Sequence, residues 1–389
     1  MVSGAWYTGY HNESLPLAKV PWDKYTHVFY SFAETTPTAN VTLNGSNAAL
    51  LPEFVQTARE NDVKALVSVG GWTGSIYFSD NTATQDNITN FVQSIVDFSQ
   101  LYDLDGVNFD WEYPGNQGIG CNTVSPNDTD NFLTLLQALR EELGPEFLLT
   151  ASAPLNPWVG PDGTSLSNVS DFAAVLDWVN VISNNVHGSW ESTVGPNAPL
   201  NDTCANSTYT GGSAVSALAA WTAAGMPAHQ IVLGVAGYGH AYSVDPASAL
   251  ASNGTIQLNP AFNASAQPLG DAWDSANSTD SCGVTSGPEG AFNFWGLIEG
   301  GYLNANGSVA TGIHYLFDGC SQTSFVYNET AQVMISYDDA TSFEAKGALV
   351  AKNNMRGFAL WEMASDINDI LIDAIRSGAG FPEESDDDC

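Results

Sequence analysis

Positive charge is what this sequence most lacks: nine Lys and Arg stand against 43 Asp and Glu over 389 residues, a formal net charge of -34. Nucleic acid and anionic membrane surfaces need basic patches, so both are excluded as partners, and a neutral or cationic partner is favoured. No run of about 18 apolar residues occurs, which leaves no candidate membrane-spanning helix. Cysteine is scarce too. Cys121, Cys204, Cys282, Cys320 and Cys389 include no C-x-x-C pair, which argues against a metal site and for disulfides. The expected pairs are Cys282 with Cys320 and Cys121 with Cys204, each stapling one loop-rich region, with Cys389 unpaired or joined to something outside this sequence. No secretory leader is visible at Met1, as expected of a mature chain whose leader has been removed.

What is present suits a large secreted globular protein. Hydrophobic residues make up 44%, enough for a sizeable core, and the length fits one barrel of about 250 residues plus an insertion. Only 13% of residues are charged, so much of the polarity comes from Asn, Ser, Thr and Gly. N-x-S/T sequons at Asn12, Asn40, Asn44, Asn87, Asn127, Asn168, Asn201, Asn206, Asn253, Asn263, Asn277, Asn306 and Asn328 point to a eukaryotic secretory glycoprotein.

The most informative stretch is 104–114, Leu-Asp-Gly-Val-Asn-Phe-Asp-Trp-Glu-Tyr-Pro. Side chains two apart on a strand share a face, so Asn108, Asp110 and Glu112 point one way while Val107, Phe109 and Trp111 point the other. An edge strand with solvated carboxylates is the bland alternative. Against it, Trp111 and Tyr113 interleave with the acids, and apolar strand candidates recur along the whole chain. In a parallel barrel the apolar face meets the helices and the polar face looks inward, with Glu112 at the C-terminal end where barrel enzymes keep their active sites.

Strand patterns at 3–10, 25–33, 64–72, 104–114, 147–153, 178–184, 230–236 and 357–361 alternate with helical patterns near 47–61, 86–101, 128–142, 212–224 and 366–376. This repetition predicts an α/β fold, a (β/α)₈ TIM barrel. Residues 240–338 are too many for a structureless loop and predict a small α+β insertion domain between strands 7 and 8. The barrel then comprises 1–239 and 339–382, and the acidic tail 383–389 is expected to be disordered.

D-G-V-N-F-D-W-E-Y-P resembles the D-x-x-D-x-D-x-E signature of family 18 glycoside hydrolases, the chitinases and their relatives, with Asn108 in place of the middle Asp. The likeness runs along the barrel. Ser-Val-Gly-Gly-Trp72 resembles the family's S-x-G-G motif, Ile182-Ser-Asn-Asn-Val-His-Gly-Ser-Trp190 its M-x-Y-D-F-H-G-x-W, Ala236-Gly-Tyr-Gly-His240 its P-x-Y-G-R, and Trp361 its eighth-strand tryptophan. The resemblance implies substrate-assisted retaining hydrolysis, in which the 2-acetamido oxygen of N-acetylglucosamine attacks and the protein supplies one acid and one orienting group. Glu112 is the implied acid and Asp110 the implied orienting group, with Asn108, Asn184 and Asn185 completing the catalytic set. Trp361, Trp72, Trp190, Tyr238, Tyr113, Phe32, Tyr10 and His240 are implied substrate contacts. No metal or cofactor is implied. Chitin or its oligomers would be the partner of a monomeric, extracellular protein.

Asn108 for Asp, Asn185 for Asp and His240 for Arg remove charges that the family pattern carries, and Asn184 for Tyr removes a phenol, which implies slower turnover and an altered pH dependence. Two other readings stand beside the chitinase. One is a chitin-oligomer-binding lectin of the same fold, whose usual hallmark is loss of the acid; the other is an endo-β-N-acetylglucosaminidase acting on N-glycans, against which the large insertion argues.

Overall fold

The computed structural model describes residues 1–204 and 211–382. The acidic tail, Cys389 and the sequon at Asn206 lie outside them. Eight strands run parallel: β1 Val2–Thr8, β2 His27–Thr35, β3 Lys64–Gly70, β4 Gly106–Asp110, β5 Leu148–Ala153, β6 Trp178–Ile182, β7 Ile231–Ala236 and β8 Gly357–Trp361. Each pairs with its successor, and β1 pairs with both β2 and β8, so the sheet closes into a (β/α)₈ barrel.

Alternation along the strands builds two cores. Outward residues meet the helices: Phe109 of β4 packs edge-on against Phe132 of the helix Asp128–Leu143, ring centroids 5.9 Å apart. Inward residues Val2, Trp6, Phe29, Leu66, Trp178, Val232 and Ala359 form a separate buried cluster that fills the barrel below its mouth. A floor of packed side chains follows, on which polar groups at the strands' C-terminal ends can be held in place.

β4 is shorter than the alternation suggested, ending at Asp110, because the chain turns there and the Glu112 N–H bonds to the Ser75 hydroxyl at 2.9 Å instead of to a strand. The last helix, Ile370–Ala379, begins later than expected. Its start is set by the half-buried Asp366 carboxylate, which accepts from the N–H groups of Leu371 and Ile372.

Between β7 and β8 the chain forms a five-stranded antiparallel sheet, in spatial order Ala291–Asn293, Tyr238–Ser243, Val333–Tyr337, Thr323–Asn328 and His314–Asp318, with a short helix Phe294–Glu299. Its first strand starts immediately past the end of β7, which roots this lobe at the barrel's C-terminal mouth. The loop after β6 is tied to it: the Val194 N–H donates to the Pro260 carbonyl at 2.9 Å, and the Asn197 N–H to the Ser336 hydroxyl at 2.9 Å.

The disulfides correct the sequence-based pairing. They join Cys121 to Cys282 and Cys204 to Cys320, across separations of 161 and 116 residues. Each bond ties a barrel loop to the lobe, whereas the expected pairing would have closed each within its own region. Proximity in sequence misled because the loops after β4 and β6 face the lobe only once the barrel has closed. Non-reducing proteolysis with mass mapping should yield these two cross-linked peptides. Replacing Cys121 and Cys282 together with Ser should destabilise the fold by about 2–4 kcal/mol; an unchanged denaturation midpoint would show that the staple carries no stability.

Candidate active site

Asp110 is the last residue of β4 and is buried, and its Oδ1 finds no hydrogen-bond partner among the described residues. Glu112 lies just past it, half-buried at the mouth. Ser75 locks the turn between them, accepting from the Glu112 N–H and donating to the Asp110 carbonyl at 3.0 Å. Gly70 makes room for this turn: its φ is +113°, and a Cβ there would fall 2.2 Å from the Asp110 carbonyl oxygen. The glycine of the third-strand motif thus admits backbone.

Burial pushes both carboxyls above the usual carboxylate range. For Glu112 burial is the larger cause and the neighbouring Asp110 charge adds to it, with a hydrogen bond from Tyr113 acting the other way. For Asp110 only a hydrogen bond from Ser152 opposes burial. No positive charge offsets either shift.

Asn108, one step below, is fully engaged. Its amide nitrogen donates to the hydroxyls of Ser68 at 2.7 Å and Ser152 at 3.1 Å, while its oxygen accepts from Thr150 at 2.8 Å and from the Asn180 amide at 2.9 Å. Strand register explains these partners: Asn108 is level with Ser68 of β3 and Thr150 of β5. Two donors and two acceptors are all satisfied, so the site is built around an amide here. Asn108 reaches Asp110 only indirectly, through Ser152.

Two departures from the family pattern turn out to be one. Asn185 and His240, 55 residues apart, meet at 2.8 Å between Oδ1 and Nε2. Burial pushes the His240 pKa down to about 4, so the ring is neutral near pH 7 and its Nε2–H donates to the amide. A neutral pair therefore stands where the pattern implies a charged one. Asn197 braces it, accepting from the Asn185 N–H at 3.1 Å and donating to the Tyr238 carbonyl at 2.9 Å. Asn184 is half-buried just past the end of β6.

The aromatic candidates divide by exposure. Trp361 ends β8 half-buried, stacked with Phe32 at 5.4 Å and edge-on to Trp6 at 5.9 Å. Trp72 and Trp190 are 50% and 60% exposed, and Tyr10 is 47% exposed, so all three are free to meet a ligand. Trp190 lies 5.7 Å from His240. Tyr113 and Tyr238 are half-buried, and the Glu112 charge acts on both phenols, which places them beside the acid.

Sequence reasoning missed a neighbouring cluster. Glu362, directly after Trp361, is buried with Oε1 2.6 Å from His11 Nδ1, while its Oε2 has no partner among the described residues. The His11 ring stacks on Trp273 of the lobe at 3.5 Å, joining the loop after β1 to the lobe beside β8. The available signal was an acid adjoining the eighth-strand tryptophan.

The profile of Glycosyl hydrolases family 18 matches residues 4–366. The chain belongs to glycoside hydrolase family 18. Across the family it is 46% identical over 382 residues to a chitinase-like effector of Moniliophthora roreri, covering 98% of this chain and 93% of that protein. The crystal structure of a chitinase from Rhizomucor miehei superposes with a TM-score of 0.88 at 31% identity, covering 97% of this chain and all of that one. A family 18 chitinase of Cycas revoluta, solved in complex with (GlcNAc)4, superposes with a TM-score of 0.76 at 25% identity, covering 98% of this chain and 100% of that one. Within this family 18 site the Asn185–His240 contact is directly testable. In Asn185→Asp a carboxylate would face the buried imidazole and favour its protonated form, so the His240 pKa should rise above about 4. An imidazole titration by NMR that is unchanged in the variant would contradict the contact.

Proposed function

We propose that this family 18 protein hydrolyses β-1,4 linkages between N-acetylglucosamine units of chitin and its oligomers. The observation that carries this reading is the Asp110–Glu112 pair, one carboxyl buried and the other half-buried at the mouth, without a compensating cation. A carboxyl kept protonated near neutral pH can act as a general acid, and Glu112, the more accessible of the two, is the one to protonate the glycosidic oxygen. The unpartnered Asp110 Oδ1 is suited to accept from the acetamido N–H, aligning its carbonyl oxygen for attack on C1 and stabilising the oxazolinium that forms. The Glu112 carboxylate then takes a proton from the water that opens this intermediate, and configuration is retained. No second carboxylate nucleophile is needed.

Trp361 is proposed to floor the reacting sugar, with Tyr113, Tyr238 and Phe32 around it and with Trp72, Trp190 and Tyr10 stacking units further along. In this reading the segment 240–338 forms one wall of the groove. Asn184, with a neutral amide in place of a phenol, would support the acetamido oxygen less well, so catalysis is expected to be modest. The twelve described sequon asparagines are all exposed or half-buried, which fits a secreted, glycosylated monomer.

A non-catalytic chitin-oligomer binder is the second reading, favoured by the relative named a chitinase-like effector and by the neutral Asn184, Asn185 and His240. Glu112→Gln separates the two. It should lower turnover of a soluble oligomer by about 10²-fold or more while preserving binding; a wild-type protein that binds oligomers and releases no reducing ends would select the binder. In the enzyme, kcat/KM should fall as pH rises through the raised titration of the pair, well above the ordinary carboxylate value of about 4. An alkaline limb near that ordinary value would contradict a buried acid.

A further inference from the structure

The stretch that follows Glu112 and Tyr113 has little intrinsic reason to hold one shape. Residues 114–127 form neither helix nor strand, include three glycines, and carry no Asp, Glu, Lys, Arg or His. Connections of this length without secondary structure are uncommon in a compact domain and often serve function. Three sets of contacts nonetheless fix this one. At its base the buried Asp128 carboxylate gathers both ends: Oδ2 accepts from the Gly115 N–H at 3.2 Å and the Ser125 N–H at 2.9 Å, while Oδ1 accepts from the Ser79 hydroxyl at 2.6 Å. At its centre the buried Asn122 Oδ1 accepts from the Gln117 side-chain amide at 2.6 Å and from the N–H groups of Gly118 and Gly120 at 3.2 and 3.3 Å. The Asn122 Nδ2 has no partner among the described residues, so the amide sits there for its oxygen. On the far side Cys121 is bonded to Cys282 of the lobe, in the turn between the paired strands Ser278–Thr279 and Thr285–Ser286.

This knot bears on the acid itself. A Cβ on Gly118 would fall 2.0 Å from the Glu112 carbonyl oxygen, so the loop lies directly against the Glu112 peptide, at an approach that needs glycine. The Glu112 N–H is held by the Ser75 hydroxyl. The backbone of Glu112 is therefore gripped from two sides, by the segment after β3 and by a loop that is bonded to the lobe.

We propose, resting on the hydrolase reading above, that Asn122 and the Cys121–Cys282 bridge are positioning elements for Glu112, fixing the angle at which the general acid enters the mouth and keeping water from its flank. Through this bridge the lobe sets the acid. Protonation of the leaving oxygen belongs to the transition state, so a loosened Glu112 lowers turnover and leaves substrate affinity alone. The loop is uncharged, so loosening it changes the water around Glu112 and not the charges, which remain that of Asp110 with the phenols of Tyr113 and Tyr238 alongside. Added water favours the ionised carboxylate, and the Glu112 titration moves down.

The test is steady-state kinetics across pH on a soluble N-acetylglucosamine oligomer, with Cys121→Ser plus Cys282→Ser, with Asn122→Ala, and with Cys204→Ser plus Cys320→Ser as the control that cuts the other bond between a barrel loop and the lobe. The first two should lower kcat by about 10- to 100-fold, the scale of a misplacement of about 1 Å, with KM changed by less than about twofold. They should also move the alkaline limb of kcat/KM down by about one pH unit, whereas the control keeps the wild-type kcat and limb. An unmoved kcat and limb in either of the first two would overturn the inference while leaving the hydrolase reading intact. Equal shifts in the control would overturn it as well, because they would mark a general loosening of the lobe. Should the Cys121 and Cys282 variant fail to fold, Asn122→Ala decides alone. A wild-type protein that releases no reducing ends removes the hydrolase reading and this inference with it.

Discussion

The carboxyls of Asp110, which ends β4, and of Glu112, just past its turn, lie together with no cation between them and set the terms for the rest of the mouth. Burial raises both, and the Asp110 charge raises Glu112 further, so protons stay on the pair where isolated carboxyls would have lost theirs. The surrounding structure holds them without neutralising them. Ser75 fixes the backbone turn, Ser152 and Tyr113 give single hydrogen bonds, and the Asn108 amide spends all its capacity on Ser68, Ser152, Thr150 and Asn180. Even the pair at Asn185 and His240 is neutral, so it brings no charge to offset the two carboxyls.

This economy of positive charge affects stability as well as function. Burial of Asp338 and the partial burial of Asp366 push both up to about 6, Asp338 despite the Lys346 ammonium against it. A carboxyl whose folded pKa lies above its unfolded value stabilises the fold fully below the unfolded value of about 4, and that contribution is lost as pH rises through the folded value. The window for these two groups therefore runs from about 4 to about 6, and the fold gains from mildly acid conditions. The same conditions keep a proton on the Asp110–Glu112 pair.

Much of the barrel was legible in sequence because its signal is local: strands that alternate every second residue, and helices between them at regular spacing. The inward set of Asn108 and Asp110 followed from that period and from the burial of Phe109 and Trp111 on the other side. Contacts between distant segments were not legible. Nothing local says that Asn185 meets His240, or that Cys121 finds Cys282, because these depend on which loops face the lobe after the barrel closes. Glu362 escaped notice for a related reason: an acid after a tryptophan is unremarkable until His11 and Trp273 are seen to close around it. The full satisfaction of Asn108 also needed the register of three neighbouring strands, without which the residue reads only as a missing charge.

The claim on which this account depends is that burial and the neighbouring Asp110 charge together hold the Glu112 carboxyl above the ordinary range. Carbon-13 carboxyl NMR on protein labelled at Asp and Glu side chains measures this directly. The account predicts that the Glu112 carboxyl titrates well above the ordinary carboxylate range in the wild type, and that Asp110→Asn moves its midpoint down, because removing the neighbouring negative charge eases ionisation. A Glu112 midpoint at the ordinary value of about 4, unmoved by Asp110→Asn, would contradict it.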